Sequence, residues 1–242
     1  EWIADRALLL SRMLEVNLGD RAPKDNGYHE FANAPESARI VDLASGFKAE
    51  QIVPGGRSLL EPPPRIVFGA SGHEFASDFQ ATPFDDRFYG AGGDDRIEGG
   101  FGADLLEGQV GADVLVGGRG NDRLRGGRGY DAYLFTAADG FDLIEDVDGW
   151  GHITFDLASS REVTLSGGPR SAPGANTWQS ADGRHTYLVA GDLATGATLT
   201  IDGSITVMNF RNGQLGIELA DALAPAPVPQ TGTLILGTSR PP

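Results

Sequence analysis

Between Ala81 and Asp146 the apolar positions recur every nine residues, and the polar ones fall between them on a fixed plan. Cut into nines the chain reads ATPFDDRFY, GAGGDDRIE, GGFGADLLE, GQVGADVLV, GGRGNDRLR, GGRGYDAYL. The eighth place is large and mostly apolar: Phe88, Ile97, Leu106, Leu115, Leu124 and Tyr133. The fourth place is glycine in the last five lines (Gly93, Gly102, Gly111, Gly120, Gly129), and glycine also crowds the first two places. Each line therefore predicts a tight turn followed by a three-residue strand, in which the eighth side chain points inward and the seventh and ninth point to water. One turn and one short strand cannot close a core. Two of them, about 18 residues, make one coil of a flattened parallel β-roll, and stacking coils buries a continuous apolar stripe. A Gly/Asp-rich flexible linker is the blander alternative, but a linker has no reason to keep an apolar eighth place.

The pattern changes on either side. Over residues 3–17 a stripe of Ile3, Ala7, Leu10 and Leu14 predicts a helix that packs by that face, stopped at Asn17-Leu18-Gly19. It is too short to suggest membrane insertion. Residues 20–37 are polar and turn-rich; Ala38–Leu43 and Ala49–Val53 read as strands, 54–64 as a loop, and Arg65–Phe68 as the strand that opens the roll. One nine before the first line, GHEFASDFQ puts Phe79 in the apolar place but Ser77 in the sixth, which reads as an N-terminal cap without metal. Ala132–Thr136 continues the roll. From Gly151 to Leu219 the pattern is all β (HITFDL, EVTLSG, NTWQS, HTYLVA, ATLTID, SITVMNF, LGIEL). Asp182-Gly183, Asp202-Gly203 and Asn212-Gly213 punctuate it as turns. Its expected core is Trp178, Tyr187, Leu199, Ile201, Ile205, Val207, Phe210 and Ile217. The fold class is thus mainly β: a parallel β-roll over 69–146, a helix and β cap over 1–68, an antiparallel β-rich cap over 147–220, and a Pro/Ala linker and tail over 221–242.

The chemistry lies in the sixth place, which is aspartate in every line: Asp86, Asp95, Asp104, Asp113, Asp122 and Asp131. Stacking alternate repeats pairs Asp86 with Asp104, Asp95 with Asp113, Asp104 with Asp122, and Asp113 with Asp131. Like charges so placed repel, and a hard cation between them turns repulsion into a bond. Oxygen-only ligands, carboxylates plus turn carbonyls, select Ca²⁺; zinc is disfavoured because no His or Cys accompanies them.

These lines resemble the GGxGxDxUx nonapeptide of RTX (repeats-in-toxin) proteins, a Ca²⁺-binding parallel β-helix repeat. The resemblance implies Ca²⁺ ions, about four to six, held by the aspartates and by carbonyls of turns carrying Gly93, Gly102, Gly111, Gly120 and Gly129. Ala91 and Gln109 depart from the pattern at the second place, and ATPFDDRFY has no glycine, so the Asp86–Asp104 site fits least. The segment Asp139–Asp146 resembles the closing segment after RTX arrays, where Asp142 and Asp146 either supply one further site over the Asp122 turn or are solvated turn residues. ITVMNFRNGQLGIEL resembles the β-rich segment downstream of such arrays, and TLILGTS the opening of another block.

Charge and composition narrow the options. With 19 basic and 34 acidic residues the net charge is −15, which argues against nucleic acid or an anionic membrane as partner. The block 81–146 holds 14 acidic and 6 basic side chains, so −8 sits there, and four Ca²⁺ would cancel it. Cysteine is absent, which removes disulfides and thiol chemistry. The chain opens with Glu-Trp rather than Met and shows no signal peptide, so it reads as a piece of something longer.

No catalytic set emerges. Gly69-Ala70-Ser71-Gly72-His73 starts like a nucleophile elbow but has His where the second glycine belongs. His29, His73, His152 and His185 are scattered, without metal-ligand spacing. The expected function is a Ca²⁺-binding module whose folding is coupled to extracellular Ca²⁺, in a larger secreted or cell-surface protein exported by a type I system, with an upstream domain of the same polypeptide as neighbour. An accessory region of an RTX lipase or protease, or a spacer in an RTX adhesin, would present the same module. The oligomeric state stays open.

Overall fold

A computed structural model describes residues 1–19, 29–32, 38–52, 64–79, 81–136, 138–157 and 161–221. The expected loop over 54–64 (Pro64 apart), the end of the second expected strand at Val53, and the linker and TLILGTS segment beyond Asp221 lie outside the described residues.

In chain order the first elements are helix α1 (Trp2–Gly19), strands β1 (His29–Ala32), β2 (Ala38–Asp42), β3 (Phe47–Ile52) and β4 (Arg65–Phe68), and a one-turn helix α2 (Ala76–Phe79). The strand β1 corrects the reading of 20–37 as turns alone, since it pairs in parallel with β3. The repeat strands follow: β5 (Arg87–Tyr89), β6 (Arg96–Phe101), β7 (Leu105–Val110), β8 (Val114–Arg119), β9 (Arg123–Arg128), β10 (Asp131–Phe135), β11 (Asp142–Ile144) and β12 (Gly151–Leu157).

Alternate strands pair in parallel. On one side the order is β4-β5-β7-β9-β11, on the other β6-β8-β10-β12. Within the repeat block the register step is 18 residues: Arg87 faces Leu105, Leu105 faces Arg123, and Arg96 faces Val114. The eighth-place side chains meet between the two sheets. Phe88, Leu106 and Leu124 line one sheet and Ile97, Leu115 and Tyr133 the other, all fully buried. Ile144 and Ile153 extend the two rows by one coil. Phe79 closes the N-terminal end against Phe88, their rings 5.5 Å apart, but from the helical turn α2 rather than from a strand.

The C-terminal cap comprises β13 (Arg161–Thr164), β14 (Gly167–Pro169), β15 (Thr177–Gln179), β16 (Thr186–Asp192), β17 (Gly196–Ile201), β18 (Ile205–Phe210), a 3₁₀ turn (Gln214–Gly216) and β19 (Glu218–Ala220). The expected strand LGIEL is therefore a 3₁₀ turn and then a strand. In it Leu215 is buried and its N–H donates to the Gly149 carbonyl at 2.9 Å. The cap continues the roll: β18 adds in parallel to β11, and β17, β16 and β15 follow antiparallel. This covers the open apolar end and the sheet edge together. All eight expected core residues of the cap are buried, in one apolar cluster with the roll interior.

Helix α1 forms as expected but packs by another face. Ile3 is 78% exposed, Leu10 54% and Leu14 58%, while Leu9 is fully buried and Asp5 nearly so. Leu9 joins a second cluster with Ile40, Ile66, Phe68 and Tyr89 on the outer face of β2, β4 and β5. The reason is polar. Asp5 Oδ2 accepts from Arg87 Nε and from the Tyr89 hydroxyl, each at 2.7 Å. Turning Asp5 inward to meet these donors brings Leu9, one turn later, inward with it and turns Ile3, Leu10 and Leu14 outward.

Candidate metal centre

Strand pairing at 18-residue steps stacks the turns as well as the strands, and the sixth-place aspartates stand in two columns. In the first, the Asp86 N–H donates to Asp104 Oδ1 (2.7 Å), Asp104 N–H to Asp122 Oδ1 (2.8 Å), and Asp122 N–H to Asp142 Oδ1 (2.9 Å). In the second, Asp95 N–H donates to Asp113 Oδ1 and Asp113 N–H to Asp131 Oδ1, both at 2.9 Å. Each carboxylate thus spends one oxygen on the backbone of the coil before it.

The other oxygen is left over. Oδ2 of Asp95, Asp104, Asp113, Asp122 and Asp131 is buried without a hydrogen-bond partner. A buried carboxylate oxygen without a donor is costly, and five at one repeating position ask for a common ligand. Burial drives the carboxyl groups up: Asp113 and Asp122 to about 6, Asp95, Asp131 and Asp142 to about 7, and Asp104 to about 8, with neighbouring carboxylates adding to the rise. Backbone N–H donors pull the other way but do not offset desolvation.

The glycines make room for this. A Cβ on Gly108 would collide with the Asp113 carboxylate, and one on Gly111 with the Gly93 carbonyl of the coil below. Gly93, Gly102, Gly111, Gly120 and Gly129 all hold positive φ, which a side chain resists. Ala91 and Gln109, which replace glycine at the second place, hold the same left-handed conformation (φ 79° and 78°).

The remaining expected site residues divide. Asp142 stands in the first column over Asp122. Asp146 does not join it: its carboxylate accepts from the Tyr133 hydroxyl (2.8 Å) and the Gly149 N–H (2.7 Å), and its charge falls on Asp131 of the second column. Asp142 thus stands with the first column, and Asp146 lies beside the second. Asp86 has both oxygens supplied: Oδ1 accepts from Arg65 N–H (2.6 Å) and the Thr82 hydroxyl (2.8 Å), and Oδ2 from Thr82 N–H (2.6 Å). A groove at the turn face, lined by Asp85, Asp86, Asp104 and Asp122, gives solvent access to the first column.

Two residues escaped the sequence pattern. Asp139 is buried beside Asp142, Asp202 and His185 in a cavity under the C-terminal cap. Glu74 is buried at the N-terminal end of the second column, and its N–H donates to Asp95 Oδ1 at 2.8 Å. Its signal was present in Gly69-Ala-Ser-Gly-His-Glu74, which matches the nonapeptide from first to sixth place once glutamate is admitted in the sixth and alanine, as at Ala91, in the second.

The donor set is carboxylate and carbonyl oxygen, without His or Cys in the columns, which suits a hard cation. Among the described residues no group of three or more His, Cys, Asp or Glu side chains is gathered for a metal ion.

A parallel roll with orphaned carboxylate oxygens stacked at its turns belongs to the class of acidic β-solenoids. Residues 71–106 and 99–133 match the RTX calcium-binding nonapeptide repeat (4 copies), so the block is a calcium-binding RTX repeat module. The solution structure of the AlgE6R3 subunit from the Azotobacter vinelandii mannuronan C5-epimerase is similar over 77% of this chain and 97% of that chain, at 21% identity and a TM-score of 0.22. No curated protein matches the chain.

Proposed function

We propose that this module is a calcium-gated folding unit of a protein that works outside the cell after export by a type I system. The orphaned Oδ2 atoms of Asp95, Asp104, Asp113, Asp122 and Asp131 carry the reading, because the fold buries them with no donor of its own. Ca²⁺ would be held by stacked pairs: Asp104 with Asp122, Asp122 with Asp142, Asp95 with Asp113, and Asp113 with Asp131. When bound it would supply the positive charge that the protein lacks there and a partner for the orphaned oxygens.

The residues of the chain then do the gating. Without a cation, burial and mutual repulsion of the two columns oppose closing of the roll at neutral pH. Extracellular Ca²⁺ modules are tuned to about 10⁻⁴–10⁻³ M, far above cytosolic levels. A ligand that binds the folded state alone stabilises it by linkage, so the coils close where calcium is plentiful and stay open where it is scarce. An open chain is the form that suits export, and closing against β11–β18 would complete the apolar core.

The test is a titration of calcium-free protein followed by far-ultraviolet circular dichroism, once with Ca²⁺ and once with Mg²⁺. A cooperative gain of β signal with Ca²⁺, in the submillimolar to millimolar range, and none with Mg²⁺ is expected. A chain fully folded in chelator and indifferent to Ca²⁺ would make the roll a metal-free scaffold.

A further inference from the structure

The two columns of carboxylates end differently at the N-terminal mouth of the roll. The first column ends in a cation: the residue below Asp86 is Arg65, whose N–H donates to Asp86 Oδ1 and whose charge lowers the Asp86 carboxyl against burial. With Thr82 supplying both its hydroxyl and its N–H, Asp86 is fully provided for. The second column ends in an acid. The residue below Asp95 is Glu74.

Glu74 occupies a ladder position by its own backbone hydrogen bonds and by the glycines around it. Its N–H donates to Asp95 Oδ1 at 2.8 Å, as Asp95 N–H does to Asp113 Oδ1 at 2.9 Å. Its carbonyl accepts from Arg96 N–H at 2.9 Å, as the Asp95 carbonyl does from Val114 N–H at 2.8 Å. The glycines agree. A Cβ on Gly69 would strike the Gly90 carbonyl and approach Glu74 Oε2, just as one on Gly90 would meet the Gly108 carbonyl and Asp95 Oδ2. A Cβ on Gly93 would strike Gly72, as one on Gly111 would strike Gly93. Gly69–Glu74 is therefore a further repeat turn, with alanine in the second place and glutamate in the sixth, followed by the helical turn α2 where the other repeats have a strand. It is hidden in the sequence because its step to the next coil is 21 residues rather than 18.

Glu74 is nine-tenths buried, and its Oε2 has no hydrogen-bond partner. Asp95 Oδ2, on the next coil, is also buried and unpartnered. Two acids thus meet where the first column places an acid over an arginine. We propose that Glu74 and Asp95 hold a further hard divalent cation, Ca²⁺ in the extracellular medium, at the N-terminal end of the second column, doing there what Arg65 does in the first. The capping turn, metal-free by its sequence register, then becomes part of the calcium-bound array. This rests on the reading that stacked carboxylate pairs hold calcium, and adds to it a site that lies on no sixth-place aspartate pair.

The experiment counts bound Ca²⁺ by native mass spectrometry on the full chain and on Glu74→Gln at saturating Ca²⁺, with circular dichroism reporting the fold. One ion fewer in E74Q, with the β signal retained, is the expected result. An equal count and equal affinities in the two proteins overturn the inference while leaving the calcium-gated roll intact. If the unaltered chain binds no Ca²⁺, the underlying reading fails instead, and the two failures are distinguishable. Should E74Q not fold, Glu74→Asp is measured, which keeps the charge but withdraws the carboxylate by one methylene. Weaker affinity at a single site of the set then supports the inference, and unchanged affinity at every site sinks it.

Discussion

The Asp104 amide donates to Oδ1 of Asp122 at 2.8 Å, and Oδ2 of the same Asp122 carboxylate is buried with no partner. The fold thus uses half of a carboxylate to lock one coil to the next and leaves the other half for a ligand. The same division holds at Asp95, Asp104, Asp113 and Asp131, so on the proposed reading coil stacking and cation binding depend on the same side chains.

That sharing separates Asp113 from Asp86. Asp113→Asn keeps the Oδ1 acceptor for Asp95 N–H but removes a charge shared by two stacked pairs. Loss of a direct ligand should raise the Ca²⁺ midpoint of folding by at least the roughly tenfold seen when supporting groups are lost. Asp86→Asn, whose oxygens accept from Arg65 and Thr82, should raise the midpoint far less than Asp113→Asn, since it removes some intrinsic stability but no proposed ligand. Circular dichroism titrations of the two variants decide it; equal shifts would sink the assignment.

The raised carboxyl groups fix a pH dependence for the calcium-free chain. Asp113 and Asp122 rise to about 6, Asp95, Asp131 and Asp142 to about 7, and Asp104 to about 8 in the folded state. A free aspartate titrates near 3.9, so between about pH 4 and 8 the folded chain binds more protons than the unfolded one. Stability is then fully present below the unfolded value and is lost as pH rises through the folded values. Far-ultraviolet circular dichroism of the calcium-free chain should therefore show β signal gained as the pH falls from about 8 to 5. With saturating Ca²⁺ the trend should reverse, since protons and cation compete for the same oxygens. A calcium-free β signal that grows as the pH rises would contradict the buried ladder.

Gln109 holds the left-handed conformation (φ 78°) that glycine takes at the matching place in Gly100, Gly118 and Gly127. A side chain pays about 1–2 kcal/mol there, and glycine returns part of that through its freer unfolded chain. Gln109→Gly should therefore stabilise the calcium-bound roll by about 0.5–1 kcal/mol. Chemical denaturation in saturating Ca²⁺ reads this directly, and a destabilised variant would show that the glutamine contributes packing of its own.

Leu115 lies fully buried between the two sheets, in the apolar row with Ile97 and Tyr133. Leu115→Ala should cost about 2–5 kcal/mol, because coils locked by the ladder cannot collapse onto the cavity. The same denaturation series measures it. A cost below about 1 kcal/mol would mean the coils shift freely, against the ladder's role as a clamp.

The roll was legible along the chain because its period is local. Nine-residue spacing dictates which side chain faces inward and which aspartates stack, and the observed 18-residue register follows without help from distant segments. The same holds for the eight core residues of the C-terminal cap, where strand alternation marks the buried face. Where the period is broken, only the tertiary structure decides. Glu74 enters the second column through a 21-residue step that no fixed repeat detects, and Asp142 enters the first through one of 20. Asp146 looked like a partner for Asp142, but it turns to Tyr133 and Gly149. The face of helix α1 was also undecided by its apolar stripe. Ile3, Leu10 and Leu14 repeat at helical spacing, yet the buried acceptor Asp5 meets Arg87 and Tyr89 and sets the rotation. Periodicity reports the burial that neighbours in sequence impose on one another. A single polar contact between residues some 80 positions apart leaves no periodic trace, and only the folded chain reveals it.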